Sequence, residues 1–472
     1  MLAICDNLFL QLNSHAIRYL LWKGNNHYQD GINGIGDVDI LIHTDDADAA
    51  RSVLADLHFI NPATQSYAAH PAMEDWLGYD AESGKMVHIH FHTAMVLGHK
   101  YVHEYEFTPY ELCFAKSVQQ ENLTLQHPVL EYFLLLCRIV FGDLRSERKI
   151  EENLIYLRQH IVVDGFMVIA DACGFDASTA QRLYGLLSSH GKKLVSQEIQ
   201  KELKIALCSL VKKTISAPSL KNRLRRYQSG YLHKRSKKSL RFSNKKSLKR
   251  KGLTIAFIGQ DGAGKSTVTQ HINEWLSWKL NAKRLYLGSG DHYMSWQKKL
   301  LKKLSKKKAG LPINILRGLL SISNHIRIAK KTHKTLRNAK KMTENGGIAL
   351  FDRYPQLAHH GINDGPKIRH SLTKNLSNPI MRFFILRGAA KEESLLKKAI
   401  QYTPDIVIKL ILSPEESIRR KPEENLELVR RKHEIIKELT FEGAQIYTID
   451  ATMDFEEEIR TIKSIIWDNL YL

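Results

Sequence analysis

Residues Gly259-Gln-Asp-Gly-Ala-Gly-Lys-Ser266 restrict what this chain can fold into more than any other stretch. A short apolar run, Leu253-Thr-Ile-Ala-Phe-Ile258, precedes them, and Thr267-Val-Thr-Gln-His-Ile-Asn-Glu-Trp-Leu276 follows with the spacing of an amphipathic helix. The pattern G-x-x-x-x-G-K-[ST] thus lies between a predicted strand and a predicted helix, the setting in which a loop wraps a polyphosphate. Gly259, Gly262, Ala263 and Gly264 keep the backbone free of bulk, so that successive N–H groups can turn inward. The helix N-terminus, at Ser266 and Thr267, adds partial positive charge. Lys265 can reach the β- and γ-phosphates of a nucleoside triphosphate, and the Ser266 hydroxyl can take one position on Mg²⁺. The expected cofactors are ATP and Mg²⁺.

Four further apolar runs follow this loop: Arg284 to Gly288, Gly347 to Phe351, Asp405 to Leu412 and Ala444 to Asp450. Strands alternating with helical segments predict an α/β fold, a parallel sheet flanked by helices. Ligands in such sheets bind beyond the carboxyl ends of the strands. Asp352 falls at such an end, where it can serve the Mg²⁺ shell directly or through water. Arg353 beside it can grip the phosphate of an acceptor.

At 472 residues the chain has room for two or three domains, and 43% hydrophobic with 25% charged residues is a globular composition. Five cysteines, odd in number and without a C-x-x-C pair, argue for structural thiols in a reducing compartment. There is no basic segment leading into an apolar core near Met1, and no run of about twenty apolar residues, so neither a signal peptide nor a membrane span is expected. The expected location is cytoplasmic.

The net charge of +21 is concentrated in two tracts. Val211–Lys251 holds sixteen Lys/Arg and His292–Thr343 fifteen, with no acid in either, so the remainder of the chain is net acidic. The first tract is rich in Lys, Arg and Ser and poor in aliphatics, and reads as a linker. The domains expected on this basis are a core at 1–108, a helical subdomain at 109–215, a linker at 216–252 and a P-loop domain at 253–472. The tracts suit a polyanionic partner: nucleic acid, an anionic membrane surface at the inner face of the membrane, or a phosphorylated substrate. A merely solvated surface is the other reading. In the second tract Leu300, Leu301 and Leu304, then Ile313, Leu316, Leu319 and Leu320, form an aliphatic stripe opposite lysines. That pattern fits a membrane surface or a pair of helices covering the kinase core.

The loop 259–266, the strand ending Asp352-Arg353-Tyr354, and Thr403-Pro-Asp405 leading into Leu412-Ser-Pro-Glu-Glu-Ser-Ile-Arg-Arg420 resemble the thymidylate kinase family, in that family's order and across residues about 253–470. The resemblance implies ATP-dependent phosphotransfer to a nucleoside monophosphate. It implies that Asp261 contacts the acceptor's sugar and Arg353 its phosphate. Arg419 and Arg420 fall near the start of a lid that neutralises the moving phosphoryl group, with Arg430 and Arg431 as alternatives. Leu287-Gly-Ser-Gly290 stands where the family carries Arg-Glu-Pro-Gly, so the resemblance leaves the acceptor open between thymidylate and another molecule. Asp364-Gly-Pro-Lys367 and Arg420-Lys-Pro-Glu-Glu424 resemble elements of divergent members fused to nucleotidyltransferase-like domains and associated with polysaccharide biosynthesis.

In the N-terminal half, Gly24-Asn25 followed by Gly36-Asp-Val-Asp-Ile-Leu-Ile42 resembles the nucleotidyltransferase superfamily, which implies a small mixed α+β sheet closed by a helical bundle. Residues i and i+2 of a strand point the same way, so Asp37 and Asp39 can jointly hold a divalent metal. His88, His90 and His92 alternate on one face of a further predicted strand, either as a metal- or phosphate-binding face or as a wet side of the sheet. Asp75, Asp80 and Glu82 are the sources for a third carboxylate. Residues 109–210 read as helical.

The leading expectation is therefore a phosphotransferase acting on a nucleotide or another phosphorylated small molecule. Two rivals stand beside it. One is nucleotidyl transfer by the N-terminal domain to a sugar phosphate, protein or RNA; the other is an ATP-switched binding protein.

Overall fold

The computed structural model describes residues 1–65, 69–99, 102–142, 144–214, 231, 245–287, 300–301, 303–304, 310–362, 364–372 and 378–471. The chain divides into two compact units, Met1–Lys246 with Trp467–Leu472, and Ser247–Ile466. Most of the tract expected as a linker, the segment 288–290 and the beginning of the second basic tract lie outside the described residues.

The first unit is built on a six-stranded mixed sheet. Its strands are β1 (Tyr19–Leu21), β2 (Asp37–Ile42), β3 (Met73–Asp80), β4 (Lys85–His92), β7 (Val118–Gln120) and β8 (Leu123–Leu125), in the order β3-β4-β2-β1-β8-β7. Between them in the chain, β5 (Val96–Leu97) and β6 (Tyr105–Phe107) pair with β9 (Val211–Lys213) in a small antiparallel sheet. Alternation sorts the residues of the large sheet. Val38, Ile40, Val87, Ile89 and Phe91 face a core shared with the helices Ala3–Ser14 and Ala47–Asp56, through Leu8, Phe9, Ala50 and Val53. Leu20, Trp22 and Leu41 face the opposite way, into a second core made by helices. Its centre is the helix Pro128–Val140, in which ten residues are buried.

The expectation that 109–210 is helical throughout fails at β7 and β8. Strands of three residues are too short to show a period, and Leu123 and Leu125 are strand residues because β8 pairs with β1 on one side and β7 on the other. The helix Glu147–His160 starts where the Ser146 hydroxyl accepts from Lys149 N.

The second unit contains an all-parallel five-stranded sheet. Its strands are β10 (Thr254–Gly259), β11 (Ala282–Tyr286), β12 (Ile348–Asp352), β13 (Ile406–Ile411) and β14 (Gln445–Asp450), in the order β11-β12-β10-β13-β14. The central strands are buried along almost their whole length, as strands covered on both faces must be. The helices Lys265–Ser277, Leu311–Glu344, Pro379–Ile400 and Leu426–Glu438 connect them.

Residues 311–344 form one helix of 34 residues, with Pro312 in its first turn, where the missing N–H costs nothing. The aliphatic side of this helix is not free. Ile315, Leu319, Ile322 and Ile326 pack against Ile368, Met381, Ile385 and Ala389 of the neighbouring segments. Leu320 is buried, and Leu316 alone of the expected stripe from 313 to 320 stands 44% exposed. No described helix is long and apolar enough to cross a membrane.

The helices 311–344 and 379–400 meet closely at Gly388, where a Cβ would lie 2.6 Å from Ile322 Cγ2. Gly388→Val should therefore overpack this contact and destabilise the unit by about 1–3 kcal/mol. Leu316→Ser should change stability by less than about 0.5 kcal/mol. Denaturant midpoints at unchanged slope read both, and equal effects of the two substitutions would contradict this packing.

Candidate functional site

The loop that follows β10 is shaped by its close approach to β13. A Cβ on Gly259 would sit 2.5 Å from Leu410 O, so no larger residue fits. Gly262 and Gly264 both adopt left-handed φ values, +86° and +76°, and Gly264 is the N-cap of the helix Lys265–Ser277. The Gln260 side-chain amide is buried and donates to Leu412 O, which ties the loop to the segment after β13. With Ala263 behind it and Thr267 in the first helical turn, the loop is a cradle of backbone donors at a helix N-terminus.

Lys265 is buried, and its Nζ donates to Gln260 O at 2.7 Å, folding back over the loop. Ser266 Oγ donates to Asp352 Oδ2 at 2.8 Å, and Arg284 Nη2 pairs with the same oxygen at 2.8 Å. The other carboxylate oxygen, Asp352 Oδ1, is buried without a hydrogen-bond partner. An unpaired oxygen beside a hydroxyl at a phosphate loop fits the outer shell of Mg²⁺.

Arg353 holds a φ of +77°, a left-handed conformation that costs a non-glycine residue about 1–3 kcal/mol and concentrates at working sites. This conformation goes with Arg353 Nη2 lying 3.3 Å from Asp261 Oδ1. Lys432 Nζ donates to Asp261 Oδ2 at 2.7 Å. Burial alone would raise the Asp261 carboxyl, but Lys432, Lys265 and Arg353 outweigh it and hold the group down to about 2. These residues line a cavity of about 210 Å³ together with Lys367 and Asp364, the latter 3.8 Å from Arg353 Nη1. Four cations, Lys265, Arg353, Lys367 and Lys432, face two carboxylates there, so the walls favour a dianion.

The two arginines expected at a lid both bond Glu416, Arg420 through its Nε at 2.9 Å, and differ in what else they reach. Arg420 Nη1 lies 3.4 Å from Gly262 O and its Nη2 3.1 Å from Ala451 O, beside the loop. Arg419 is bound by both oxygens of Glu416 at 2.6 and 2.7 Å and its side chain is 76% exposed. Of the alternatives, Arg430 pairs with Glu415. Lys432 and Arg284 were missed by sequence reasoning. Lys432 lies on a helix crowded with Lys, Arg and Glu, and no local signal sets it apart.

A second polar cluster lies in the first unit. Asp37 and Asp39 project from one face of β2, with His88, His90 and His92 of β4 alongside, in the register Asp37↔His88 and Asp39↔His90. His88 bridges Asp37 at 2.7 Å and Asp75 at 2.9 Å. Asp75 is the acid that faces the histidines; Asp80 instead accepts from Ile4 N and the Ser83 hydroxyl. Asn25 is buried in the turn before β2, where its N–H donates to Glu131 Oε1 at 2.9 Å. Burial pushes the Glu131 carboxyl up to about 7.

No protein-family model matches the chain. Two uncharacterised ATP-binding proteins of Escherichia coli K12 are similar to it: YghR, 25% identical over 215 residues, and YghS, 25% identical over 219. The similarity spans 43% of this chain and 82% and 87% of theirs. Among solved structures, deoxyadenosine kinase from M. mycoides with bound products is 18% identical across 45% of this chain and 98% of its own, at a TM-score of 0.30. The same kinase with bound dATP gives a TM-score of 0.28 at 18% identity, over 45% of this chain and 99% of its own.

Burial, with Arg353 nearby, pushes the Lys265 ammonium down to about 8. A polyphosphate binds the charged form, so its affinity should be greatest below that value and fall as pH rises through about 8, with proton uptake on binding above it. Calorimetry with inorganic tripolyphosphate at about pH 7 and about pH 9, in buffers of different ionisation heat, reads both effects. An affinity that does not change with pH would contradict this role for Lys265.

Proposed function

We propose that the second unit is an ATP-dependent phosphotransferase of the nucleotide kinase type, and that its acceptor is a nucleotide or another small phosphorylated molecule. The observation that carries this reading is the continuity of two anion sites. The backbone cradle 259–267 opens, past Lys265, directly onto the cavity lined by Arg353, Lys367 and Lys432. A donor polyphosphate on the loop and an acceptor phosphate in the cavity would meet across Lys265. The E. coli relatives are named for ATP binding, which agrees with the loop.

In this reading the residues divide by what they touch. The N–H groups of Gly262, Ala263, Gly264, Lys265, Ser266 and Thr267 hold the donor phosphates, with Gly259 giving the strand its close approach. Lys265 carries charge to the oxygens between the β- and γ-phosphates. Arg353 binds the acceptor's phosphate, and Asp261, held ionised by Lys432, orients both cations and takes a hydroxyl of the acceptor. Arg420 reaches the loop at Gly262 O while its Nε stays on Glu416, and Arg419 would have to leave Glu416 to join it. Ser266 and Asp352 would hold Mg²⁺, which when bound neutralises charge on the transferring phosphate oxygens. Such a transfer depends on positioning and charge more than on covalent help.

A panel of nucleoside monophosphates and sugar phosphates with ATP and Mg²⁺ identifies the acceptor. Lys265→Ala should lower kcat by about 10²–10³-fold, as loss of one transition-state charge contact does. Arg353→Ala should raise the acceptor's KM or lower kcat while ATP affinity stays within about twofold. The assignment fails if folded Lys265→Ala protein turns over ATP undiminished, or if Arg353→Ala abolishes ATP binding and spares the acceptor.

For the first unit we propose a nucleotidyltransferase-like role centred on Asp37 and Asp39. What favours it is that Asp75 joins these two carboxylates on one face of the sheet. Transfer of label from ATP or CTP to an acceptor by the full chain, lost in Asp39→Asn, is the measurement that tests it.

A further inference from the structure

The polar face of β2 and β4 is more than a carboxylate pair. Three imidazoles and three carboxylates share it: His88, His90 and His92 with Asp37, Asp39 and Asp75. Within this group, His90 Nδ1 lies 3.1 Å and His92 Nε2 3.3 Å from a single oxygen, Asp39 Oδ1. The ligand atoms of these three residues all fall within 4.8 Å of one another. Bonds of about 2.0–2.2 Å at octahedral or tetrahedral angles put neighbouring donor atoms about 2.8–3.6 Å apart, a range that both separations, 3.1 and 3.3 Å, fit.

The same oxygen also receives Lys23 Nζ at 3.1 Å. Three nitrogens therefore crowd one carboxylate oxygen, and a single cation bound by the two imidazoles and the carboxylate would replace Lys23 there. The surrounding groups are already fixed. His88 is held between Asp37 and Asp75, and Asp75 is held further by Lys246 at 2.9 Å and by the Thr64 hydroxyl. Trp22 packs its ring edge against His92 at 4.9 Å between centroids. His90 is the accessible member, at 27% side-chain exposure, so an ion can enter and keep an open position.

We propose that Asp39, His90 and His92 form a binding site for one divalent first-row transition-metal ion, of the Mn²⁺, Co²⁺ or Zn²⁺ class. Two imidazoles and a carboxylate suit these ions, whereas Mg²⁺ takes oxygen ligands and resists losing its water. Lys23 is the rival cation: its ammonium occupies Asp39 when the ion is absent and moves away when it binds. This site needs no nucleotide and does not depend on the phosphotransfer reading of the second unit; it shares Asp39 with the nucleotidyltransferase-like reading of the first, and metal binding without nucleotide stands or fails apart from label transfer.

The test uses the full chain without a histidine tag, stripped with chelator and kept free of nucleotide. Titration with Co²⁺ should give visible ligand-field absorption saturating at about one equivalent, displaced by Zn²⁺ and untouched by millimolar Mg²⁺. His90→Ala should weaken Co²⁺ binding by about a hundredfold or more, and Lys23→Met should tighten it by about tenfold. Circular dichroism and thermal melts of both variants report folding, and Asp39→Asn serves if His90→Ala melts early. Co²⁺ binding below about a tenth of an equivalent, or binding unchanged in a folded His90→Ala variant, overturns the proposal.

Discussion

Everything at the nucleotide-site end of the second unit depends on β10 being paired in parallel with β12 on one side and β13 on the other. The register sets Phe257 against Asp352 and Gly259 against Leu410, so three chain segments leave the sheet at one edge. Gly259 lets β13 approach to within the space a methyl would need. Ser266 then reaches Asp352 across a separation of 86 residues, and Gln260 reaches Leu412 across 152. A parallel sheet of this order places its crevice beyond the strand ends, and the glycine loop fills that crevice with inward-facing donors.

The cavity beside the loop works by an excess of positive charge in a partly dry space. Lys265, Arg353, Lys367 and Lys432 would repel one another if Asp261 and Asp364 did not stand among them. Asp261 is the pivot, because it contacts both Arg353 and Lys432 and is held ionised by them. The left-handed φ of Arg353 is a local strain offset by that pair and by the β12 hydrogen bonds. The cations are therefore held in place by the carboxylates among them, as a preorganised positive wall.

The first unit applies strand geometry to a different end. The alternation that buries Val38, Ile40, Ile89 and Phe91 in one core necessarily sends Asp37, Asp39, His88, His90 and His92 to the other face. Next to them Trp22, Leu41 and the helix Pro128–Val140 form an apolar core, so the polar cluster sits at the edge of a dry layer. Its members bond to one another and to Lys23, Lys246 and Thr64, while His92 Nδ1 is buried without a hydrogen-bond partner.

Much of this was legible in the residues themselves. The loop 259–266 with its flanking strand and helix, the five parallel strands, and the shared face of Asp37 and Asp39 all follow from spacings of two, three or four residues, because backbone geometry repeats at those intervals. The burial of the stripe around Leu319 and Leu320 did not follow, since an aliphatic face reads the same against a helix as against a lipid surface. Nor did the contacts of Lys432 and Arg284, the choice of Asp75 over Asp80 and Glu82, or the reach of Arg420 to Gly262 O. Their partners lie far away in the chain: Lys432 meets Asp261 across 171 residues and Arg284 meets Asp352 across 68. Local sequence determined which segments are strands, loops and helices; strand order and packing decided which charges meet, because only a closed tertiary fold brings distant side chains within the few ångströms over which a charge is felt.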